Sequence, residues 1–156
     1  MARKKQPISK KSKAPAPFPR KLLGEVRALI EQARQQVAQS VKSSLVLLYW
    51  QVGQRIHTEI LKKKRADYGE EIVSTLSAQL VQEHGQGFGK RNVFRMIRFA
   101  EVFPDAERVA MLAGQLSWSH IVEILPLKEE LQRDFYSEMC RVERWSVRTL
   151  RQKISG

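Results

Sequence analysis

Apolar residues recur at three- and four-residue spacing along most of this chain, which is the pattern of amphipathic helices. The first stripe covers residues 22–37, and the next segment, residues 43–64, is apolar on nearly all sides at positions 45–50. Because no Gly or Pro lies between residues 25 and 52, the pattern fits one long helix as well as two helices joined near residues 40–44. No segment shows the two-residue alternation of a strand, so the pattern predicts an all-α fold.

Turn signals divide the rest of the chain into shorter predicted helices. Asp67 and Glu70 have the types and spacing of an N-cap and its capping-box partner for the next helix. Three glycines in residues 84–89 then predict a turn, and Pro104 ends a helix predicted over residues 90–103. The remaining helices are predicted over residues 105–112 with Gly114 at the end, from Ser119, after Pro126 and from Ser146.

Two tryptophan–serine pairs mark predicted helix starts. In Trp118-Ser119 and in Trp145-Ser146, an aromatic residue precedes a serine whose hydroxyl can accept a hydrogen bond from the first helical turn. We interpret both tryptophans as structural residues that pack back over a capped helix start. A shared binding role for the two tryptophans is the alternative.

The formal net charge of +12 indicates an anionic partner. Residues 1–21 contain eight Lys or Arg, four prolines and no Asp or Glu, which predicts a disordered basic arm before a helical domain over residues 22–156. Within the arm we expect Lys10, Lys11 and Lys13 to contact nucleic-acid phosphates. A solubilising tail and membrane association are the alternatives.

Cysteine content and hydropathy indicate the compartment. Cys140 is the only cysteine, which excludes an internal disulfide and a Cys-based zinc site and favours a reducing environment. No apolar run reaches the roughly 18 residues that a membrane span requires, and no secretory signal follows the basic N-terminus. We therefore expect a cytoplasmic protein with no membrane partner.

The predicted helix over residues 90–103 separates basic from apolar side chains. Steps of 100° per residue place Arg91, Arg95 and Arg98 within about 60° of one another, opposite the apolar residues. An amphipathic helix, a glycine turn and an arginine-faced helix form the pattern of a helix-turn-helix reader of double-stranded DNA. We expect Lys90 and Asn92 to join the arginines in contacting DNA, with Asn92 suited to adenine. A solvated basic face and a protein-docking face are the alternatives.

The sequence offers no group of residues suited to catalysis. The three histidines lie 27 and 36 residues apart with no carboxylate at ligand spacing. With Gly89-Lys90 as its Gly-Lys pair, a Walker loop requires Gly at position 84 and Ser or Thr at position 91, where this chain has His84 and Arg91. No Asp or Glu after Pro104-Asp105 is followed two positions later by Lys, so the Mg²⁺-binding set of many nucleases is missing. We expect no metal, no cofactor and no catalytic residue.

Several blocks of residues follow one another along the chain as a recognisable set. They are Tyr49-Trp50-Gln51-Val52-Gly53, Tyr68-Gly69, Leu76-Ser77, residues 85–93 with Met96 and Phe99, residues 116–120, residues 133–136 and residues 145–148. Together these blocks resemble the N-terminal domain of the YhcG-like nuclease family over about residues 20–154. The resemblance implies a helical, DNA-binding N-terminal domain that precedes a nuclease domain of the PD-(D/E)xK class, in proteins linked to DNA recombination, repair or defence. We interpret Tyr49, Trp50, Trp118, His120 and Trp145 as structural residues of these blocks.

Two departures limit what the resemblance implies. The chain ends at Gly156, where the nuclease domain of the family would be approaching, so we expect a domain without nuclease activity. Gly89 stands where the family more often has Ser, so an N-cap hydroxyl is missing. Our prediction is a DNA-targeting module of a nuclease. The alternative is an interaction domain that docks the nuclease half or another subunit, with Trp118, His120 and Trp145 at the interface.

Overall fold

The computed structural model describes residues 20–63 and 68–156 of the chain. These residues form seven α-helices and one short 3₁₀ turn with no strand, which confirms the all-α class. The helices are α1 (Arg20–Lys63), α2 (Tyr68–His84), α3 (Lys90–Val102), α4 (Ala106–Ala113), α5 (Trp118–Ile124), α6 (Glu130–Glu143) and α7 (Val147–Ser155), with the 3₁₀ turn (Gln86–Phe88) between α2 and α3. The predicted arm up to residue 19 and the predicted cap at Asp67 lie outside the described residues.

The chain divides into two units, Met1–Gln36 and Val37–Gly156. Residues 20–36 of the first unit are helical, and their large apolar side chains are mostly exposed, for example Leu22 and Leu29. A single helix over Arg20–Lys63 answers the question left open by the hydrophobic pattern. The hydrophobic pattern could not decide between one helix and two, because a helix continues through any residue that does not break its backbone hydrogen bonds.

Two clusters of buried side chains hold the second unit together. The larger cluster draws on α1 and on α3 to α7, with Phe99, Leu112, Ile121 and Leu150 among its fully buried members. The smaller cluster joins α1, α2 and α3 through Ile56, Val73 and Val93. Because α3 contributes side chains to both clusters, its rotation about its own axis is fixed by packing.

Gly53 sets the approach of α3 to α1. A Cβ atom at position 53 would lie 1.8 Å from the backbone oxygen of Met96, so the backbones of α1 and α3 are in direct contact there. One turn earlier on α1, the Trp50 indole Nε1 donates a buried hydrogen bond of 2.8 Å to the Phe103 carbonyl. On the other side, the Ser77 hydroxyl of α2 donates to the Phe88 carbonyl at 2.9 Å. These contacts hold both ends of α3.

The helix starts confirm the predicted cap at Ser146 and correct the one at Ser119. Ser146 caps α7 by accepting from the Thr149 N–H, as predicted, and Asp105, at the predicted start of α4, caps that helix by accepting from the Glu107 N–H. The prediction that α5 starts at Ser119 is wrong, since Ser117 is its N-cap and Trp118 its first helical residue. The reason is a capping box in which a histidine, rather than Glu or Gln, occupies the third helical position.

Candidate nucleic-acid interface

Helix α3 has a buried face and a basic face, as the sequence predicts. Val93, Met96, Phe99 and Ala100 are buried. Arg91 on the opposite side is exposed, while Arg95 and Arg98 are half-buried through their aliphatic stems. The structure therefore brings together the three arginines that the helical periodicity grouped.

The basic residues of α3 differ in their ion pairs. Arg98 lies 3.3 Å from Glu101 on the same helix, and Lys90 pairs with Glu70 of α2. Among the described residues, no carboxylate lies within ion-pair distance of Arg91 or Arg95. Within this part of the chain, no acidic side chain competes with an external anion for these two guanidinium groups.

The start of α3 lacks a side-chain cap. Its N-cap is Gly89 in an extended conformation, no side chain accepts from the first turn, and the first turn contains no acidic residue. The α-helical hydrogen bonds begin with the Val93 N–H, which donates to the Gly89 carbonyl at 2.9 Å. The loss of an N-cap hydroxyl expected from Gly89 is thus observed. An uncapped helix N-terminus attracts anions through its unpaired N–H groups and the helix dipole.

Asn92 forms two intramolecular hydrogen bonds. Its Nδ2 donates to the Gly87 carbonyl at 2.7 Å, and its Oδ1 accepts from the Trp118 indole at 3.0 Å. Both ends of the amide are therefore engaged, and an amide must free both ends to bind adenine in the bidentate mode. In the folded chain Asn92 positions the 3₁₀ turn and Trp118 relative to α3.

An aromatic cluster supports this turn. The Tyr49 ring meets Trp118 edge-on at 4.8 Å between centroids and Phe88 at 5.9 Å. Burial raises the pKa of the Tyr49 phenol above its usual value. Gly87 allows a close approach here, because a Cβ at that position would lie 3.0 Å from the Tyr49 hydroxyl. Tyr49 and Trp118 therefore build the support under α3, and Trp50 holds its far end.

His120 connects α5 to the segment before α7. Its Nδ1 accepts from the Ser117 N–H at 3.1 Å, so the proton of the neutral ring is on Nε2, which donates to the Trp145 carbonyl at 2.7 Å. The Trp145 ring is half-buried against the larger cluster and lies 5.5 Å from the Lys153 ammonium. These contacts give His120 and Trp145 structural partners within the chain.

A shallow depression lies beside the basic face of α3. Its volume is about 380 Å³, and its lining consists of Arg91, Phe94, Arg95, Arg98, Leu125 and Pro126. The Phe94 ring is 38% exposed. The sequence analysis missed Phe94, although steps of 100° per residue place it about 60° from Arg91 on the basic side. Leu125 and Pro126 come from the end of α5 and could not be placed beside α3 by periodicity.

Several arginines elsewhere in the second unit are engaged within the chain. Arg133 is buried and donates to two backbone carbonyls, those of Leu127 at 2.8 Å and Lys128 at 3.1 Å. Arg108 lies 3.2 Å from Asp134, and Arg151 lies 3.1 Å from Glu123.

Glu138 and Arg141 form a further pair on α6. The hydrogen bond from Arg141 is the main cause that lowers the pKa of the Glu138 carboxyl, and the same bond raises the pKa of Arg141. The Glu123 carboxylate likewise raises the pKa of Arg151. Such pairing leaves these cations less available to an external anion.

Two further features, metal-binding clusters and membrane-spanning helices, concern the described residues only. Within residues 20–63 and 68–156, no group of three or more His, Cys, Asp or Glu side chains could hold a metal ion. In the same part of the chain, no helix has the length and apolar character that crossing a membrane requires. Lys10, Lys11 and Lys13 lie outside the described residues.

Comparison with known proteins identifies the family. The family model described as "DUF1016 N-terminal domain" matches residues 25–156, which is most of the chain. The chain is also 26% identical over 157 aligned positions to the protein named "Putative nuclease YhcG" from Escherichia coli (strain K12). That alignment covers 81% of this chain but only 42% of the E. coli protein. No solved structure matches the chain. The chain therefore belongs to the DUF1016 N-terminal domain family.

Proposed function

We propose that this chain is a DNA-binding module that contacts the duplex through the basic face of α3. The observation that carries the proposal is the pair Arg91 and Arg95, two guanidinium groups on one face of a firmly packed helix with no carboxylate partner among the described residues. Uncompensated arginines on a rigid helix suit phosphates and guanine edges, because the planar guanidinium binds both in a bidentate manner.

The start of α3 supports the same function. Its first N–H groups point out of an uncapped terminus beside Lys90 and Arg91, and such a terminus can accept a phosphate oxygen. Lys90 pairs with Glu70 across α2 and α3, so in this proposal it contributes a point charge at the rim of the interface. Asn92 acts by positioning the turn and Trp118, and α2 with α3 forms the helix-turn-helix-like unit of the sequence prediction.

The basic arm extends this interface in the proposal. Lys10, Lys11 and Lys13 add phosphate contacts of no sequence preference, which raise affinity and steepen its salt dependence. The E. coli relative is named as a nuclease and is longer than the region matched here. We propose that in such proteins this module brings the rest of the chain to DNA, and that the 156 residues alone do not cleave it.

The salt dependence of binding tests this function. Fluorescence anisotropy of a labelled duplex of unrelated sequence is recorded with the intact chain at several salt concentrations. With about five phosphates neutralised, the slope of log K against log[salt] is expected near −4 to −5. Deletion of residues 1–19 should flatten the slope and leave the helical signal per residue of the remainder intact. A slope near zero in the intact chain would refute nucleic acid as the partner.

A protein-docking module is the second candidate, and an apolar groove favours it. The groove has a volume of about 380 Å³ between α1 and α2, and its apolar lining comes from Val52, Ile56, Leu76 and Leu80. Its occupant in this alternative is the nuclease half or another subunit, held by apolar contact that salt weakens little. Leu80→Gln makes the groove polar without a change in net charge, so it would then weaken docking and leave DNA affinity unchanged if α3 binds DNA.

A further inference from the structure

Phe94 differs from the other phenylalanines of the described residues in having no aromatic neighbour. Phe88 packs against Tyr49, Phe99 and Phe103 pack against each other, and Phe135 packs against Tyr136. The Phe94 ring makes no such contact and is 38% exposed on the same side of α3 as the arginines. Its exposed surface is therefore available to a planar group from outside the chain.

The depression around Phe94 has an apolar part and a cationic part. The depression is lined by Leu125, which is buried, by Pro126 and by three arginines. The volume of about 380 Å³ lies within the range of sites that take small ligands. A nucleotide combines a base with two apolar faces and an anionic phosphate. The base therefore suits the apolar part of the depression, and the phosphate suits the arginines.

A continuous duplex offers no such base, because every base inside it is stacked on both faces and shows only its edges in the grooves. An unpaired base beside a duplex can leave the stack and place one face on an aromatic side chain. Resting on the proposed function, we infer that the depression around Phe94 receives one unpaired base, and that the module prefers the junction of double- and single-stranded DNA over a blunt duplex.

The test compares two labelled DNA duplexes that share one double-stranded sequence, one blunt and one with a short single-stranded thymine overhang. Anisotropy titrations with the intact chain should give about 5- to 150-fold tighter binding of the overhang duplex, which is the range for one base stacked on an aromatic side chain. Phe94→Ala should reduce this ratio to near one and leave the affinity for the blunt duplex unchanged.

Two control variants sharpen the result. Phe94→Tyr keeps an aromatic face and should retain the preference, whereas Phe135→Ala removes an exposed phenylalanine of α6 and should also retain it. Equal binding of the two duplexes by the parent chain would overturn this inference and leave the proposed function standing. If Phe94→Ala weakens blunt and overhang duplexes alike, the ring contacts the duplex itself, for example a thymine methyl group, and the inference is wrong. Absence of salt-dependent binding to either duplex would refute the proposed function as well.

Discussion

Arg91 and Arg95 of α3 carry the same charge as Arg133, Arg141 and Arg151 of α6 and α7 but differ from them in what surrounds them. Arg133 donates to two backbone carbonyls, and Arg141 and Arg151 face Glu138 and Glu123. Arg91 and Arg95 have no carboxylate partner among the described residues. The difference shows that net charge alone does not identify a binding surface. A binding surface is better identified by basic side chains that lie on a firmly packed helix and have no acidic partner in the described part of the fold.

The largest expected effect tests whether the packing of α3 against α1 holds the basic face of α3 in position. Gly53→Ala forces a methyl group into the backbone of Met96, 1.8 Å from its oxygen. Neither backbone can move without disturbing a helix, so we expect a loss of about 3 kcal/mol or more in the free energy of unfolding, together with loss of DNA binding. Denaturant unfolding followed by circular dichroism measures the first effect.

Gly24→Ala is the matched control for that substitution. It lies on the same helix, and no atom lies within 4 Å of the added methyl group. Replacing glycine inside a helix by alanine should then stabilise α1 by about 1 kcal/mol through helix propensity. Equal melting of the Gly53→Ala variant and the parent would show that α3 is not held where the structure places it.

The next effect separates a structural arginine from a binding one. Arg133→Met leaves the carbonyls of Leu127 and Lys128 without their charged donor in a partly buried site, which should cost about 2–3 kcal/mol. Arg95→Met removes a half-buried arginine that has no carboxylate partner and should cost less than about 0.5 kcal/mol. DNA affinity should change in the opposite order, with the Arg95 variant the weaker binder. Equal stability losses would remove the distinction between the two groups.

A smaller effect concerns Asn92. Asn92→Ala breaks the hydrogen bonds to the Gly87 carbonyl and the Trp118 indole, so we expect a loss of about 1–3 kcal/mol in stability. Affinity should then fall by a similar factor for DNA of any sequence, because the residue positions the interface without reading bases. A loss confined to one adenine-containing site would instead restore the base-reading hypothesis.

The smallest effect uses Cys140 to report on the packed region that holds the paired arginines. Burial raises the pKa of this thiol from 9.0 to about 11. Below about pH 9 the thiol is protonated in both states and its contribution to stability is complete. As the pH rises from 9 towards 11, only the unfolded thiol ionises, so stability falls by at most about 1.4 kcal/mol per pH unit. The difference between the unfolding free energies at pH 8 and pH 10 should be larger in the parent than in the Cys140→Ala variant. An equal difference in the two proteins would contradict the burial of the Cys140 thiol.

Much of the fold could be predicted because local rules determine it. Most helix limits were predicted from the spacing of apolar residues together with Pro104, Asp105 and Ser146. The side of α3 that carries the arginines was predicted from the helical period of 100° per residue. The start of α5 was missed because a histidine replaces the acidic or amide partner of a capping box, a role that depends on its tautomer and on the Trp145 carbonyl.

The candidate site was less predictable than the fold. Which arginines are paired depends on contacts between helices, such as Arg151 with Glu123, and no spacing along the chain reveals them. The depression beside Phe94 is closed by Leu125 and Pro126, more than 25 residues away in sequence. Asn92 was expected at the DNA surface from its place near the arginines, and only the positions of Gly87 and Trp118 show its engagement.

The central claim is that the unpaired arginines of α3 bind DNA and the paired ones do not. The most direct measurement compares Arg91→Glu/Arg95→Glu with Arg141→Glu/Arg151→Glu, two variants with the same change in net charge, by melting and by anisotropy on one labelled duplex. We expect the α3 variant to melt like the parent and to lose about 100-fold or more in affinity, whereas the control should stay within about fivefold. Equal losses in the two folded variants would contradict the claim, since net charge would then explain the binding.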